Sequence, residues 1–333
     1  MTTTKHPTPD PREGFNIGWA YASHNAYLPD DAAPDLRQGY DAGRAHFSGR
    51  RCQSQPDRFV RKWLQLQANA WRRGRVFDQA VTPSFIEHIT PQACPITREV
   101  LTFATGKDTD WSVDRLVNAA GYAPGNLVVM SVKANLAKDN LDYAQILRIA
   151  GLCRPINGLS PVEWNRMASM VGMTEDSDSL LPLLVVPPPR LLVSNPYTML
   201  QLAMMYALAG RYTHKIEPAL RQACHGKVAK RSLTDLLDTI AGRLQRTERR
   251  EQAYAHSVFW WFEDAWCDML LLRSFRAWLD TLADGDLEDC TAVARRYISA
   301  IRPIKGNPRA AWGEETNGYT VPEARPQRVG VTP

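Results

Sequence analysis

The chain has 333 residues, 44% of them hydrophobic, and a formal net charge of +5 from 40 Lys and Arg against 35 Asp and Glu. That apolar content is enough to bury real cores in two or three domains, and so mild a charge excludes a uniform polycation. The six cysteines, at 52, 94, 153, 224, 267 and 290, have no framework spacing, which argues against a disulfide scaffold and for reduced thiols in a cytoplasmic protein.

The N-terminus is polar and lacks the apolar stretch of a signal peptide. Of the two greasiest segments, Met199 to Leu208 is too short to span a bilayer, and Val258 to Leu272 is broken by Glu263, Asp264 and Asp268. No membrane partner is expected.

Residues 1–48 read as a polar, proline-rich tail followed by a small helical hairpin. Gly18-Trp19-Ala20 and Gly39-Tyr40-Asp41-Ala42-Gly43 frame a turn from Pro29 to Pro34. Residues 44–75 then hold nine Arg and Lys against the single acid Asp57. From Pro56 onward this segment predicts an amphipathic helix. Phe59, Val60, Trp63, Leu64, Leu66, Ala70 and Trp71 supply its apolar positions, and Arg58, Arg61, Lys62, Gln65 and Arg72 recur on another side. Together with Arg73, those cations are candidates for phosphate contact, which gives affinity without sequence choice. The competing reading is a solvated face whose arginines pair with acids elsewhere.

Residues 109–138 are the most informative. Trp111, Val113, Leu116 and Val117 make a short β-prone run, and Leu127-Val128-Val129-Met130 a second. The segment from Asn118 to Gly125 holds two glycines and a proline and predicts an antiparallel return. Ser131 stands as the N-cap of a helix running to Lys138. A carboxylate at the end of one strand and an amide on the adjoining helix can converge on one hard cation through oxygen ligands.

The spacing Asp114-Arg115, Gly121-Tyr122-Ala-Pro-Gly125-Asn126, Asn135 and Lys138 resembles the ββα-metal core of the HNH endonuclease superfamily, in an Asp-Arg variant seen in phage and homing-type members. The resemblance covers about 30 residues and rests on side chains at fixed spacing. It implies an α+β fold class, a mainly α-helical chain with an embedded ββα-metal (HNH-like) core. It implies Asp114 and Asn135 as ligands of a Mg2+ or Mn2+ ion, Arg115 and Asn126 as catalytic positions, and DNA, or RNA, as partner. Lys133 and Lys138 join the basic helix as nucleic-acid contacts. Arg115 stands where the family has a general-base histidine, and arginine stays protonated and only donates. Slow cleavage is the consequence, with water activation left to another group, and His88 is the nearest histidine in sequence. Many HNH proteins also brace the core with zinc on two Cys-x-x-Cys pairs. Here Cys94-Pro-Ile-Thr97 keeps one cysteine, and Ser131 and Ala134 stand where the second pair would be. One cysteine does not make a tetrahedral site, so no structural zinc is expected.

Beyond the core, helices are predicted near 141–152, from Ser160-Pro161, and near 197–210, 215–224, 231–247, 249–281 and 286–302. Ser232-Leu-Thr-Asp235 is read as a helix start, and Pro187 to Pro189 marks a linker. His256, Trp260 and Glu263 share a helical face beside Asp264 and Asp268. The apolar run around Trp260, Trp261, Phe262 and Trp266 points to burial or to self-association. The predicted organisation is therefore a tail and hairpin over 1–48, the basic helix with the HNH-like domain over 49–155, a helical domain over 156–303 with a Pro-rich linker near 183–196, and a flexible tail over 304–333. Two functions follow: a metal-dependent DNA endonuclease or nickase, or a nuclease-inactive nucleic-acid-binding or assembly protein that keeps the core.

Overall fold

The computed structural model describes residues 9–48, 55–175, 185, 190–209, 213–251, 263, 265–298 and 309–320. Arg50, Arg51, Cys52, Pro187 to Pro189, His256, Trp260, Trp261, Phe262 and Asp264 lie outside the described residues. The architecture is α+β, mainly helical with one small antiparallel sheet of two strands. No helix among the described residues is long and apolar enough to cross a membrane. The chain divides into two compact units, one drawn from Met1–His88, Ala119–Ala123 and Arg309–Pro333, the other from Ile89–Asn118 and Pro124–Pro308.

The first unit is built on helices α1 (Pro11–Ser23), α2 (Pro34–Phe47) and α3 (Arg58–Arg72). Proline at the first position of α1 and α2 presets the helical φ where no intrahelical N–H bond is lost. A Cβ on Gly18 would fall 1.9 Å from the Leu36 carbonyl oxygen, and one on Gly39 would fall 1.9 Å from that of Phe15. The two backbones therefore touch, which only glycine permits. Asp57 caps α3, its carboxylate accepting from the N–H groups of Phe59 and Val60 at 2.8 Å each. Leu64 and Trp71 of α3 share a core with Ile17, Tyr21 and Leu36, and the Trp71 indole N–H donates to the Asp10 carbonyl at 2.7 Å.

The segment 309–320, expected within a loose tail, is docked onto this unit. Trp312 is fully buried. The Gly121 N–H donates to the Trp312 carbonyl at 2.7 Å, and the Val76 N–H to that of Gly318 at 2.9 Å. An indole of that size removes enough apolar surface from water to hold a short segment in place.

The second unit carries strands β1 (Trp111–Arg115) and β2 (Leu127–Ser131) and helix α5 (Val132–Lys138), then α6 (Tyr143–Gly151), α7 (Pro161–Gly172), α8 (Pro196–Ala209), α9 (Thr213–Ala223), α10 (Lys227–Glu251), α11 (Met269–Leu279) and α12 (Asp286–Tyr297). Helix α4 (Pro83–Ile89) precedes them in the chain. Helix α6 packs on α7, and α8 packs on α9, α10 and α12. Trp164, Trp266, Phe275 and Trp278 are fully buried among these helices. Two expected boundaries move. Ser232 lies inside α10 and not at its start, because the helix already begins after Gly226. The span 249–281 is interrupted at Asp268, whose carboxylate accepts from the Leu270 N–H at 2.8 Å and starts α11 afresh.

The glycine contact is testable. Gly18→Ala should lower the stability of the first unit by about 1–3 kcal/mol through overpacking against backbone. Gly151→Ala, where an added Cβ meets nothing within 4 Å, should leave the melting temperature within a degree or two. Thermal unfolding by circular dichroism compares them.

Candidate functional site

Strands β1 and β2 pair antiparallel in the register Trp111↔Ser131, Val113↔Val129 and Arg115↔Leu127. Side chains alternate along a strand, so Trp111, Val113 and Arg115 are buried on one face, while Ser112 and Asp114 lie half-buried on the other. Helix α5 starts directly after β2 and packs on both strands. The Ser131 hydroxyl caps it by accepting from the Ala134 N–H at 3.3 Å.

The half-exposed face of β1 meets α5 through two polar contacts one helical turn apart. The Asn135 amide donates to the Ser112 hydroxyl at 2.7 Å. Lys138 lies with its Nζ 2.9 Å from Asp114 Oδ2. Asp114 and Asn135, named from the sequence as cation ligands, therefore share this seam, and Ser112, which the sequence reading missed, fixes the second. The signal was its position two residues before Asp114, on the same strand face. Asp114 Oδ2 is buried and makes no hydrogen bond, so its approach to Lys138 is a contact of charges.

Lys138 was expected to touch phosphate. Its side chain is 0% exposed, and its ammonium donates to the Arg115 carbonyl at 2.9 Å and to Asn118 Oδ1 at 3.3 Å. From there it serves the end of β1 and not an outside ligand. Burying an ammonium costs several kcal/mol unless oxygens compensate, and here three do. Arg115 is 7% exposed, on the strand face opposite Asp114, and its guanidinium donates to the Asn118 carbonyl at 3.0 Å. Asn126 is fully buried. Its side chain accepts from the Val117 N–H at 2.8 Å and donates to the Val117 carbonyl at 3.2 Å, so one amide holds both polar groups of a loop residue.

The Cys94 turn and the β2–α5 junction come together. Cys94 Sγ accepts from the Ser131 N–H at 3.3 Å and from the Thr97 N–H at 3.5 Å. Hydrogen bonds through one sulfur thus join the Cys94 turn to the β2–α5 junction. Asp110 fastens the start of β1. Its carboxylate accepts from the Thr102 hydroxyl at 2.7 Å, the Thr105 hydroxyl at 2.8 Å and the Gly106 N–H at 2.7 Å. The Thr102 hydroxyl bond contributes most to lowering its pKa to about 2, with further bonds from Thr105 and Gly106.

The remaining expected contacts lie on surfaces. Lys133 Nζ is 3.7 Å from Glu163 Oε1. Arg58, Arg61, Arg72 and Arg73 are exposed and Lys62 half-exposed on α3 and its C-cap, in the first unit. Among the described residues Arg61, Arg72 and Arg73 make no ion pair; Arg72 bonds Asn69 and Lys62 bonds Gln65. His88 is exposed on α4. Glu263 pairs with Arg98 at 2.8 Å, and Asp268 with Arg243 at 2.9 Å, so these two acids of the C-terminal helical region are engaged in ion pairs. Among the described residues no group of three or more His, Cys, Asp or Glu side chains is placed to hold a metal ion. No family model, curated protein or solved structure matches this chain.

Two stability measurements probe this frame. Asp114→Asn strips the buried ammonium of its counter-charge but leaves its two neutral acceptors, and should cost about 1–3 kcal/mol in urea unfolding. The lowered Asp110 pKa stabilises the fold above the ordinary carboxylate range near 4, and that contribution is lost as pH falls from there through about 2. Acid titration of Asp110→Asn should therefore show a shallower loss of stability below pH 4 than wild type.

Proposed function

We propose that this protein is a metal-dependent endonuclease or nickase of HNH type that hydrolyses phosphodiester bonds in DNA, or in RNA, with Asp114 and Asn135 as protein ligands of one Mg2+ or Mn2+ ion. The observation that carries this reading is that a strand-end carboxylate and a helix amide lie on one seam, between β1 and α5. Asp114 Oδ2 is taken by the Lys138 ammonium at 2.9 Å, which leaves Oδ1 of this partly exposed carboxylate for a ligand, and the Asn135 amide nitrogen is committed to Ser112, which leaves the oxygen of that amide. One carboxylate and one amide oxygen fit a hard cation that keeps several waters and takes substrate phosphate as a further ligand. Such a cation supplies positive charge at the scissile phosphodiester.

The chain's own residues do the positioning. Lys138 pairs with the Asp114 carboxylate at 2.9 Å, and Asn126 stiffens the loop after β1. Arg115 accepts no proton; its bond to the Asn118 carbonyl makes it a positioning residue of that loop. The exposed cations of α3 supply phosphate contacts.

The test is nicking of supercoiled plasmid by purified protein with Mg2+ or Mn2+, against an EDTA control. Slow, metal-dependent nicking is expected, with greater loss from Asp114→Ala than from Arg115→Ala. Circular dichroism confirms that the variants fold. Absence of nicking by folded wild type with either cation retires the nuclease reading.

A second reading, a nuclease-inactive nucleic-acid-binding or assembly protein, draws on the pairing of Asp114 with Lys138 and on the burial of Arg115. Both readings share the basic helix. Replacing Arg58, Arg61 and Arg72 by alanine should weaken binding to unrelated DNA sequences alike, and should reduce the slope of log affinity against log salt by about 2–3. An unchanged slope gives α3 a structural role only.

A further inference from the structure

A cavity of about 400 Å3 opens in the first unit between α1, α3 and the segment after α3. That volume lies within the usual range for small-ligand pockets, about 300–1,000 Å3. Its lining has a particular chemistry. Trp63 and Phe77 present aromatic rings, and Glu13, Asn16, Gln67 and Gln79 present polar side chains. Both rings are held in place: the Trp63 indole N–H donates to the Val81 carbonyl at 2.8 Å, and Phe77 stacks on Tyr122 with ring centroids 6.0 Å apart. Among the described residues the Glu13 carboxyl and the amides of Asn16, Gln67 and Gln79 have no hydrogen-bond partner. The pocket thus offers flat rings for stacking, amides that both donate and accept, and one carboxylate acceptor.

We propose that this pocket binds a single unpaired nucleobase of a nucleic-acid strand, with preference for a base that carries an exocyclic amine. Stacking on aromatic side chains suits any base, because every base has a π face. Choice comes from the edge. A carboxylate accepts from the amino group of cytosine, adenine or guanine, whereas thymine and uracil have no amino group and present a single N–H hemmed by two carbonyl oxygens that oppose it. Burial, and secondarily the neighbouring Asp10, raise the Glu13 pKa above the ordinary glutamate value, which makes its carboxylate a stronger acceptor. Trp63 and Gln67 belong to α3, the helix that carries Arg58, Arg61 and Arg72, so base and backbone contacts come from one element. The choice of a nucleobase as occupant rests on the nucleic-acid function proposed above; the pocket does not depend on the metal site.

The experiment measures binding of the full chain, in EDTA, to fluorescein-labelled DNA 12-mers of cytidine alone and of thymidine alone, by fluorescence anisotropy. The cytidine strand should bind at least fivefold more tightly. Glu13→Gln and Gln67→Ala should bring the two strands to equal affinity, and Phe77→Leu should weaken both about tenfold. Arg61→Ala should weaken both alike and keep their ratio. Competition by CMP at millimolar concentration shows whether the base alone suffices; displacement by CMP and UMP alike overturns the amine preference. Equal affinity of the two strands for wild type, or a preference that survives Glu13→Gln in a folded variant, also overturns the proposal. Asp114→Ala should bind as wild type does, so a chain that fails to nick plasmid yet discriminates the strands loses the nuclease reading and keeps the pocket.

Discussion

A fully buried ammonium organises the polar centre of the second unit. Lys138 reaches from the last turn of α5 to the end of β1, where the Arg115 carbonyl, the Asn118 side chain and the Asp114 carboxylate surround it. Each partner would be costly to leave alone in that place: a strand-end carbonyl, a loop amide and a partly buried carboxylate. Because one charge answers all three, the strand end, the loop and the helix take up a single arrangement. The two hydrogen bonds of Asn126 to Val117 extend that arrangement by one more loop residue.

The same ammonium defines the chemistry open to Asp114. An ammonium and a divalent cation are both drawn to one carboxylate, and Lys138 is already there. The cation proposed for this seam would therefore need further oxygens from water and phosphate, as magnesium sites built on few carboxylates do. Arg115, on the opposite strand face, is removed from that competition and contributes rigidity to the loop.

In the first unit the governing constraint is steric. Gly18 and Gly39 let α1 and α2 meet backbone to backbone, which leaves their flanks to receive α3. Helix α3 is then two-faced: Leu64 and Trp71 enter the shared core, and the arginines face water. Trp63 and Gln67, beside the buried face, line the cavity with α1. One amphipathic helix thus supplies core, pocket wall and basic surface through its period of 3.6 residues.

Local chemistry made much of this legible beforehand. Alternating β-prone residues, the glycines and proline between them, and a serine before an apolar helix gave β1, β2 and α5, because strand period, turn and cap each act within a few residues. The glycine-rich hairpin and the amphipathic α3 were legible for the same reason. Spacing also put Asp114, Asn126, Asn135 and Lys138 on one constellation. Spacing does not say which way a side chain turns or what neutralises it. The burial of Lys138, the turn of Arg115 onto Asn118, the service of Ser112 to Asn135 and the docking of Trp312 depend on residues 3 to nearly 200 positions apart. The membership of α3 in the first unit and of strands β1 and β2 in the second was likewise a matter of packing. The sequence by itself determined the elements and the identity of the polar groups. Only the tertiary structure decided their partners, because a buried charge is satisfied by whatever oxygen the fold brings within reach.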